Sequence, residues 1–285
     1  LTFGQLKQLT LKDAVSQQYR LYGPERITSF QWLPKSNSYS FLSKDMKTLY
    51  KSNVTASTTN IPPDVWMTLS EVNQILSSNL TSFASLEWID DTHCYLNDGQ
   101  KYYYLDLKLK TGKELLRLDD GAENMDFHAG TQQMAYTIGN NLYIKKGTKE
   151  AFAITSNADK NIVSGQSIAR NEFGISGGIF WSHKGDLVAF YQKDESKVHD
   201  YPLLNINDTP GSLMSIKYPM AGQASEQAKV GIYNISKNTT VYISPRGDVD
   251  DYLTNVSFTP DDNYLLIAEV NRGQNHMHLN LYDAN

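Results

Sequence analysis

One unit recurs along these 285 residues and restricts what they can fold into. It consists of an apolar-x-aromatic strand, a turn of Pro, Asp, Gly or Asn, a second apolar strand, and a strand ending in Tyr or Leu. Copies open at Phe30-Gln-Trp32-Leu-Pro34, Leu86-Glu-Trp88-Ile-Asp90, Met125-Asp-Phe127, Ile179-Phe-Trp181-Ser-His183 and Val256-Ser-Phe258-Thr-Pro260. Apolar and polar residues alternate with period two in each, as in half-buried strands. The anchor aromatics at 32, 88, 127, 181 and 258 are separated by 56, 39, 54 and 77 residues. The shortest step fits a four-stranded propeller blade of about 40–50 residues, and the longer ones require insertions. A β-sandwich would not repeat the signal five times. The expected fold is all-β: an incomplete β-propeller of about five blades with short helical insertions.

Residues 1–25 read as a lead-in with a short helix at 9–15, where Thr10 can cap and Asp13 stands three residues on. Residues 26–285 read as the propeller. A second helix is expected within 62–76, where Thr68-x-x-Glu71 forms a capping-box pattern. Thr111-Gly112-Lys113 reads as a hairpin turn. Residues 192–229 form a long insertion punctuated by Pro and Gly, of the kind that is often functional in a compact fold.

The net charge of -5 provides no basic field for phosphates, so a nucleic-acid partner is not expected. Eighteen tyrosines favour strands. Cys94, the single cysteine, excludes an internal disulfide and any multi-cysteine metal site, and its strand context predicts a buried, inert thiol. No apolar run approaches the length of a membrane span. Leu1 opens directly into folded-looking sequence, which fits either a cytosolic protein or one whose leader has been removed. Six Asn-x-Ser/Thr sequons, at Asn53, Asn79, Asn207, Asn234, Asn238 and Asn255, add little in a chain this rich in Asn, Ser and Thr.

The stretch from Ser167 to Tyr191 concentrates the chemistry. Its second half is a strand pair around Ser182-His-Lys-Gly-Asp186. Its first half is polar, carries Arg170, Asn171 and Glu172 side by side, and ends in a Gly-rich hinge from Gly174 to Gly178. Polar residues on a connection between strands are placed by the scaffold yet reached by water. Gly174-Ile-Ser176-Gly-Gly178 satisfies G-x-S-x-G, but a nucleophile elbow needs a strand before the serine and a helix after it, and here a strand pattern follows. Ser176 is read as a decoy. His276-x-His278 lacks a third ligand, and Asp248-Val-Asp250-Asp251 reads as a solvated loop, so no metal is expected. With no phosphate loop or dinucleotide fingerprint, no cofactor is expected either. Glu172 is the acid of interest: the bland reading is an exposed loop carboxylate, the functional one an acceptor for a single ammonium.

Four blocks in order, Arg170-Asn-Glu-Phe-Gly174, Phe180-Trp-Ser182-x-x-Gly185, Tyr218-Pro-x-Ala-Gly222 and Asn271-Arg-x-Gln-Asn275, resemble the N-terminal propeller of the dipeptidyl peptidase IV family of serine peptidases. The resemblance runs from the lead-in helix to the C-terminus. It implies an eight-bladed propeller joined to a C-terminal α/β-hydrolase domain that holds the Ser-Asp-His triad and lies outside these residues. No catalytic residue is then expected here, and the segment alone would be inactive. The parent would be an exopeptidase that removes di- or tripeptides after proline from a peptide with a free N-terminus. The propeller would gate access and hold the substrate's α-amino group. The resemblance places Glu172 at the last of the family's neighbouring glutamates; the preceding one is Asn171 here, a departure also consistent with the family's prolyl tripeptidyl peptidases. Arg170 would donate to a substrate carbonyl or orient Glu172. A periplasmic or extracellular location follows, leader removed, with or without a membrane anchor. An open sheet edge would favour association, including a homodimer. The competing reading is a non-catalytic propeller that binds protein or glycan.

Overall fold

The repeats fold into antiparallel sheets of blade type. The computed structural model describes residues 8–21, 23, 26–54, 63–83 and 85–284; the first seven residues of the lead-in, and Pro62 at the start of the expected helical insertion, lie outside the described residues. The chain divides into two units, Leu1–Glu114 and Leu115–Asn285. Together they carry the sheets of a partial β-propeller.

In the first unit, helices α1 (Leu11–Val15) and α2 (Gln18–Leu21) precede two blades. Thr10 caps α1 reciprocally with Asp13, as its sequence suggests. Blade one is β1 (Thr28–Trp32), β2 (Ser38–Leu42), β3 (Thr48–Asn53) and β4 (Asp64–Thr68). Blade two is β5 (Ser85–Trp88), β6 (His93–Asn97), β7 (Lys101–Asp106) and β8 (Thr111–Arg117). Between them lies α3 (Leu69–Leu76).

The expected second helix forms within its bounds, and one other local expectation is corrected. The helix within 62–76 starts only at Leu69, because Asp64–Thr68 pairs with β3 as the outer strand; the Thr68–Glu71 capping box then opens the helix. Thr111-Gly112-Lys113 is strand, not turn. The turn falls at 107–110, where the Asp106 carboxylate accepts from Lys108 N and Leu109 N at 2.9 and 2.8 Å. Gly112 is needed for close packing, since a Cβ there would sit 2.8 Å from Leu76 and Leu105 side chains. Leu49, Met67, Val72, Phe83, Leu96 and Leu105 form this unit's core. Cys94 is fully buried within it, and burial pushes its thiol up to about 12, as expected of an inert thiol.

The second unit holds three blades. The first is β9 (Glu123–His128), β10 (Gln133–Ile138), β11 (Asn141–Lys146) and β12 (Phe152–Ala153). The next contains β13 (Ile162–Ser164), β14 (Ile179–Trp181), β15 (Leu187–Asp194), β18 (Gln227–Asn234) and β19 (Thr239–Ile243). The last is β20 (Tyr252–Phe258), β21 (Tyr264–Val270) and β22 (Met277–Asp283). Within the insertion at 192–229, β15 and β18 extend into its two ends, and β16 (Asp200–Asn205) pairs with β17 (Ser212–Lys217) as a separate hairpin.

A recurring latch joins consecutive blades within each unit. The Trp88 indole donates to Ser40 Oγ (3.0 Å) and the Trp181 indole to Asp126 O (3.1 Å), each in the preceding blade. In the turn after a blade's first long strand, an aspartate two residues before the next strand caps the previous blade. Asp91 accepts from Lys35 N at 2.7 Å, and Asp262 accepts from His183 N and Lys184 N at 2.8 Å each. In blade two Trp88 and Asp91 make both ties to blade one, whereas in the second unit Trp181 and Asp262 make one tie each at successive blade boundaries. Asp262 is 4% exposed and also meets His183 Nδ1 at 2.8 Å. Burial pushes its carboxyl up, but the bonds from His183 and Lys184 outweigh that and hold it below the ordinary 3.8. Asp262→Asn leaves one N–H facing an amide N–H. It is expected to lower stability by about 2 kcal/mol, read from denaturant midpoints at pH 7. Because the folded value is depressed, the wild-type advantage is complete above pH 3.8 and disappears as pH falls through the lower folded value. The gap between wild type and variant should therefore shrink in acid.

Candidate functional site

The strand facing β15 on its inner edge is interrupted. β14 pairs with Val188–Phe190 and β13 with Gln192–Asp194, leaving Tyr191 between them. Tyr191 bonds to both ends of the gap: its N–H donates to Gly178 O (2.9 Å), and its carbonyl accepts from Gly165 N (2.8 Å). Residues 166–177 therefore leave the sheet as a loop closed at its base, so the scaffold itself presents the polar block. Gly178 is required at this closure, since a Cβ would lie 2.6 Å from Gln166 N and closer still to Gln166 C and O.

Within the loop, Ala169–Gly174 is a run of tight turns rather than a regular helix: Ala169, Arg170, Asn171, Phe173 and Gly174 all have positive φ, and Glu172 is extended. Left-handed backbone costs a non-glycine residue roughly 1–2 kcal/mol, so surrounding contacts must hold it. Ile168 and Ile175, at its two ends, are buried in the unit's core, and Phe173 packs on Tyr252 with ring centroids 4.9 Å apart. Ala169 N donates to Glu226 Oε1 at 2.6 Å.

The stretch walls a cavity of about 260 Å3 shared by the last two blades. Arg170 and Glu172 line it, together with Tyr218, Glu226, Asp250, Tyr252 and Arg272. Asn171 is exposed and is not among the lining residues. Three of the four sequence blocks thus converge here: Arg170 to Gly174, Tyr218-Pro219, and Arg272 with Gln274. Five carboxylates face three cations on the lining, a balance that favours a positively charged ligand.

Each of those cations is already engaged. Arg170 stacks over Tyr218 (4.8 Å) and Arg272 over Tyr252 (5.1 Å). Lys217 reaches Val198 O at 3.0 Å and Asp200 at 3.3 Å. Among the described residues, by contrast, the Glu172 carboxylate accepts only a long bond from Gln274 Nε2 at 3.4 Å, and no cation pairs with it. Arg170 and Glu172 are neighbours in sequence but do not form an ion pair. The exposed carboxylate on the wall of an acid-rich cavity can accept charge-assisted hydrogen bonds from an incoming ammonium.

Ser176 is exposed between this stretch and β14, a strand rather than a helix, so no elbow surrounds it. His276 and His278 meet with their Nε2 atoms 3.0 Å apart beside Glu269 and Asn271, on a separate depression. Glu226, Glu195 and Lys193 escape sequence reasoning, because their meeting depends on strand register and no local motif marks it. Gln274 belongs to the Asn271–Asn275 block, but nothing local in that block marks it as a partner of Glu172.

A family model described as the dipeptidyl peptidase IV (DPP IV) N-terminal region matches residues 92–285. A protein of Coccidioides posadasii assigned as dipeptidyl-aminopeptidase B is 25% identical over 203 residues, covering 64% of this chain and 22% of that protein. A counterpart from Ajellomyces capsulatus is 25% identical over 185 residues, covering 59% and 19%. The chain thus spans about a fifth of the length of these curated relatives. Among solved structures, one from Bacteroides ovatus assigned as a dipeptidyl aminopeptidase IV superposes with a TM-score of 0.77 at 36% identity, over 91% of this chain and 36% of that one. Porphyromonas gingivalis dipeptidyl peptidase 4 superposes at 0.75 and 20% identity over 98% of this chain and 41% of its own, a likeness of fold.

Proposed function

Because this chain belongs to the dipeptidyl peptidase IV N-terminal-region family, we propose that it is the propeller portion, with its lead-in at 1–25, of a serine exopeptidase that removes N-terminal di- or tripeptides after proline. The triad lies in a C-terminal hydrolase domain of the parent polypeptide, and the propeller admits peptide ends while keeping folded proteins out. The parent works in the periplasm or outside the cell.

One observation carries this reading: Glu172 is a cavity-wall carboxylate paired with no cation among the described residues, on a loop that the blade closes by backbone contacts. An α-ammonium at that point completes a charge-assisted pair, and the distance from Glu172 to the catalytic serine then counts the residues removed. With Asn171 exposed, the amine is held by one carboxylate of this loop rather than two. Arg170, stacked on Tyr218, offers its remaining N–H groups to a substrate carbonyl.

The test uses the full-length protein with Gly-Pro-anilide and Ala-Ala-Pro-anilide, each with a free and an acetylated N-terminus. A kcat/KM far higher for the free than for the acetylated forms is expected, and the preferred length reports whether two or three residues are removed. Equal cleavage of the acetylated forms would remove the amine anchor. Cleavage of neither would favour the binding-scaffold reading.

A further inference from the structure

We propose that Glu226 is a positioning residue of the amine site, holding the left-handed loop in place through Ala169 while Lys193 and Glu195 hold Glu226. This rests on the reading of Glu172 as the amine anchor. Glu226 immediately precedes β18, and Glu195 immediately follows β15. The register pairs Asp194 with Gln227, so one step further along the sheet the two glutamates are brought opposite each other. Lys193 bridges them, 2.9 Å from Glu195 and 3.4 Å from Glu226, and all three side chains are only 14–17% exposed. Two carboxylates this enclosed would repel without the ammonium; with it the trio is rigid and retains one negative charge.

The second oxygen of Glu226 is directed at the loop. Its Oε1 accepts from Ala169 N at 2.6 Å, at the first residue with positive φ in the stretch. Among the described residues, the one other hydrogen bond between residues 169–174 and a side chain of another element is the 3.4 Å bond from Gln274 to Glu172 itself. Beside the apolar anchors Ile168, Phe173 and Ile175, the polar side of the stretch that aims Glu172 is thus fixed by a short bond three residues upstream, made by a residue that need not touch the substrate's amine. A strained conformation persists where the surroundings over-determine it, and the Glu195–Lys193–Glu226 trio supplies that constraint.

The experiment compares full-length wild type with Glu226→Ala, Glu226→Gln and Glu172→Ala. Its readout is the ratio of kcat/KM for Gly-Pro-anilide with a free N-terminus to that for the acetylated form. The ratio does not depend on the fraction of enzyme that folds. Glutamine keeps an oxygen for Ala169 N but loses the charge; alanine loses both. Glu226→Ala is expected to lower the ratio about tenfold, the effect of losing one well-placed hydrogen bond, with Glu226→Gln within about threefold of wild type. An unchanged ratio in Glu226→Ala, while Glu172→Ala loses it, would overturn the positioning role alone. A Glu226→Gln loss as large as that of alanine would show that charge rather than positioning is at work and would overturn it too. An unchanged ratio in Glu172→Ala would remove the amine reading, and this inference with it.

Discussion

Replacing Glu172 by alanine in the full-length protein is expected to lower kcat/KM for free-amine peptides by about 10- to 100-fold and to leave folding nearly untouched. The carboxylate is exposed and accepts only one 3.4 Å bond, from Gln274, so the fold loses little when it is removed. The substrate loses a hydrogen bond between two charged groups, worth roughly 1.5–3 kcal/mol. Glu172→Gln should recover little, because an amide keeps the shape but not the charge. The pH dependence gives an independent check. A free α-amino group loses its proton near pH 7.7–8.0. Wild-type kcat/KM should therefore fall as pH rises through that range, and the limb should flatten in Glu172→Ala, where a charged and a neutral amine are held alike. A Glu172→Ala enzyme with wild-type kcat/KM and an unchanged alkaline limb would place the amine elsewhere.

Much of the blade architecture was legible because it is written locally. Trp88 and Trp181 mark first strands by alternation, and in the structure the same rings reach back to the preceding blade. The Thr10–Asp13 and Thr68–Glu71 caps were legible for the same reason, since a capping box is a four-residue event. What escaped was non-local. β13 is three residues long and reads as nothing alone; it exists because Gln192–Asp194 offers it an edge. Gly112 reads as a turn residue although its absent side chain serves packing against Leu76 and Leu105. At the site, Arg170, Asn171 and Glu172 were visible as a polar block, but the left-handed path that takes Arg170 to Tyr218 and leaves Glu172 without a cation was not. Nor could the sequence bring Glu226 and Asp250 to the same cavity, or Gln274 to Glu172, since sheet register and blade packing decide that.

The glycines at the loop's end separate steric closure from flexibility, and Gly178→Ala is expected to be the most destabilising single change in this region, by about 3 kcal/mol. The added methyl group would meet backbone atoms of Gln166, 2.6 Å from N and nearer to C and O, which have no rotamer to escape into. Relief requires residues 165–166 and 178 to move apart, and both Gly165 and Gly178 are bonded to Tyr191. Opening the base thus breaks the two bonds that join β13 and β14 into one interrupted strand, and the loop bearing Glu172 loses its frame. Gly177 is the control: a Cβ there meets nothing within 4 Å and its backbone is unstrained, so Gly177→Ala should stay within about 0.5 kcal/mol. Gly174→Ala falls between, with open space around the Cβ but a φ of +74°, at a cost of about 1 kcal/mol. Denaturant midpoints should therefore order Gly177→Ala above Gly174→Ala above Gly178→Ala, while selectivity for free over acetylated N-termini collapses in Gly178→Ala. If flexibility rather than closure were the purpose of these glycines, the three substitutions would cost alike, and Gly177, next to the closure and unconstrained, would be as sensitive as Gly178.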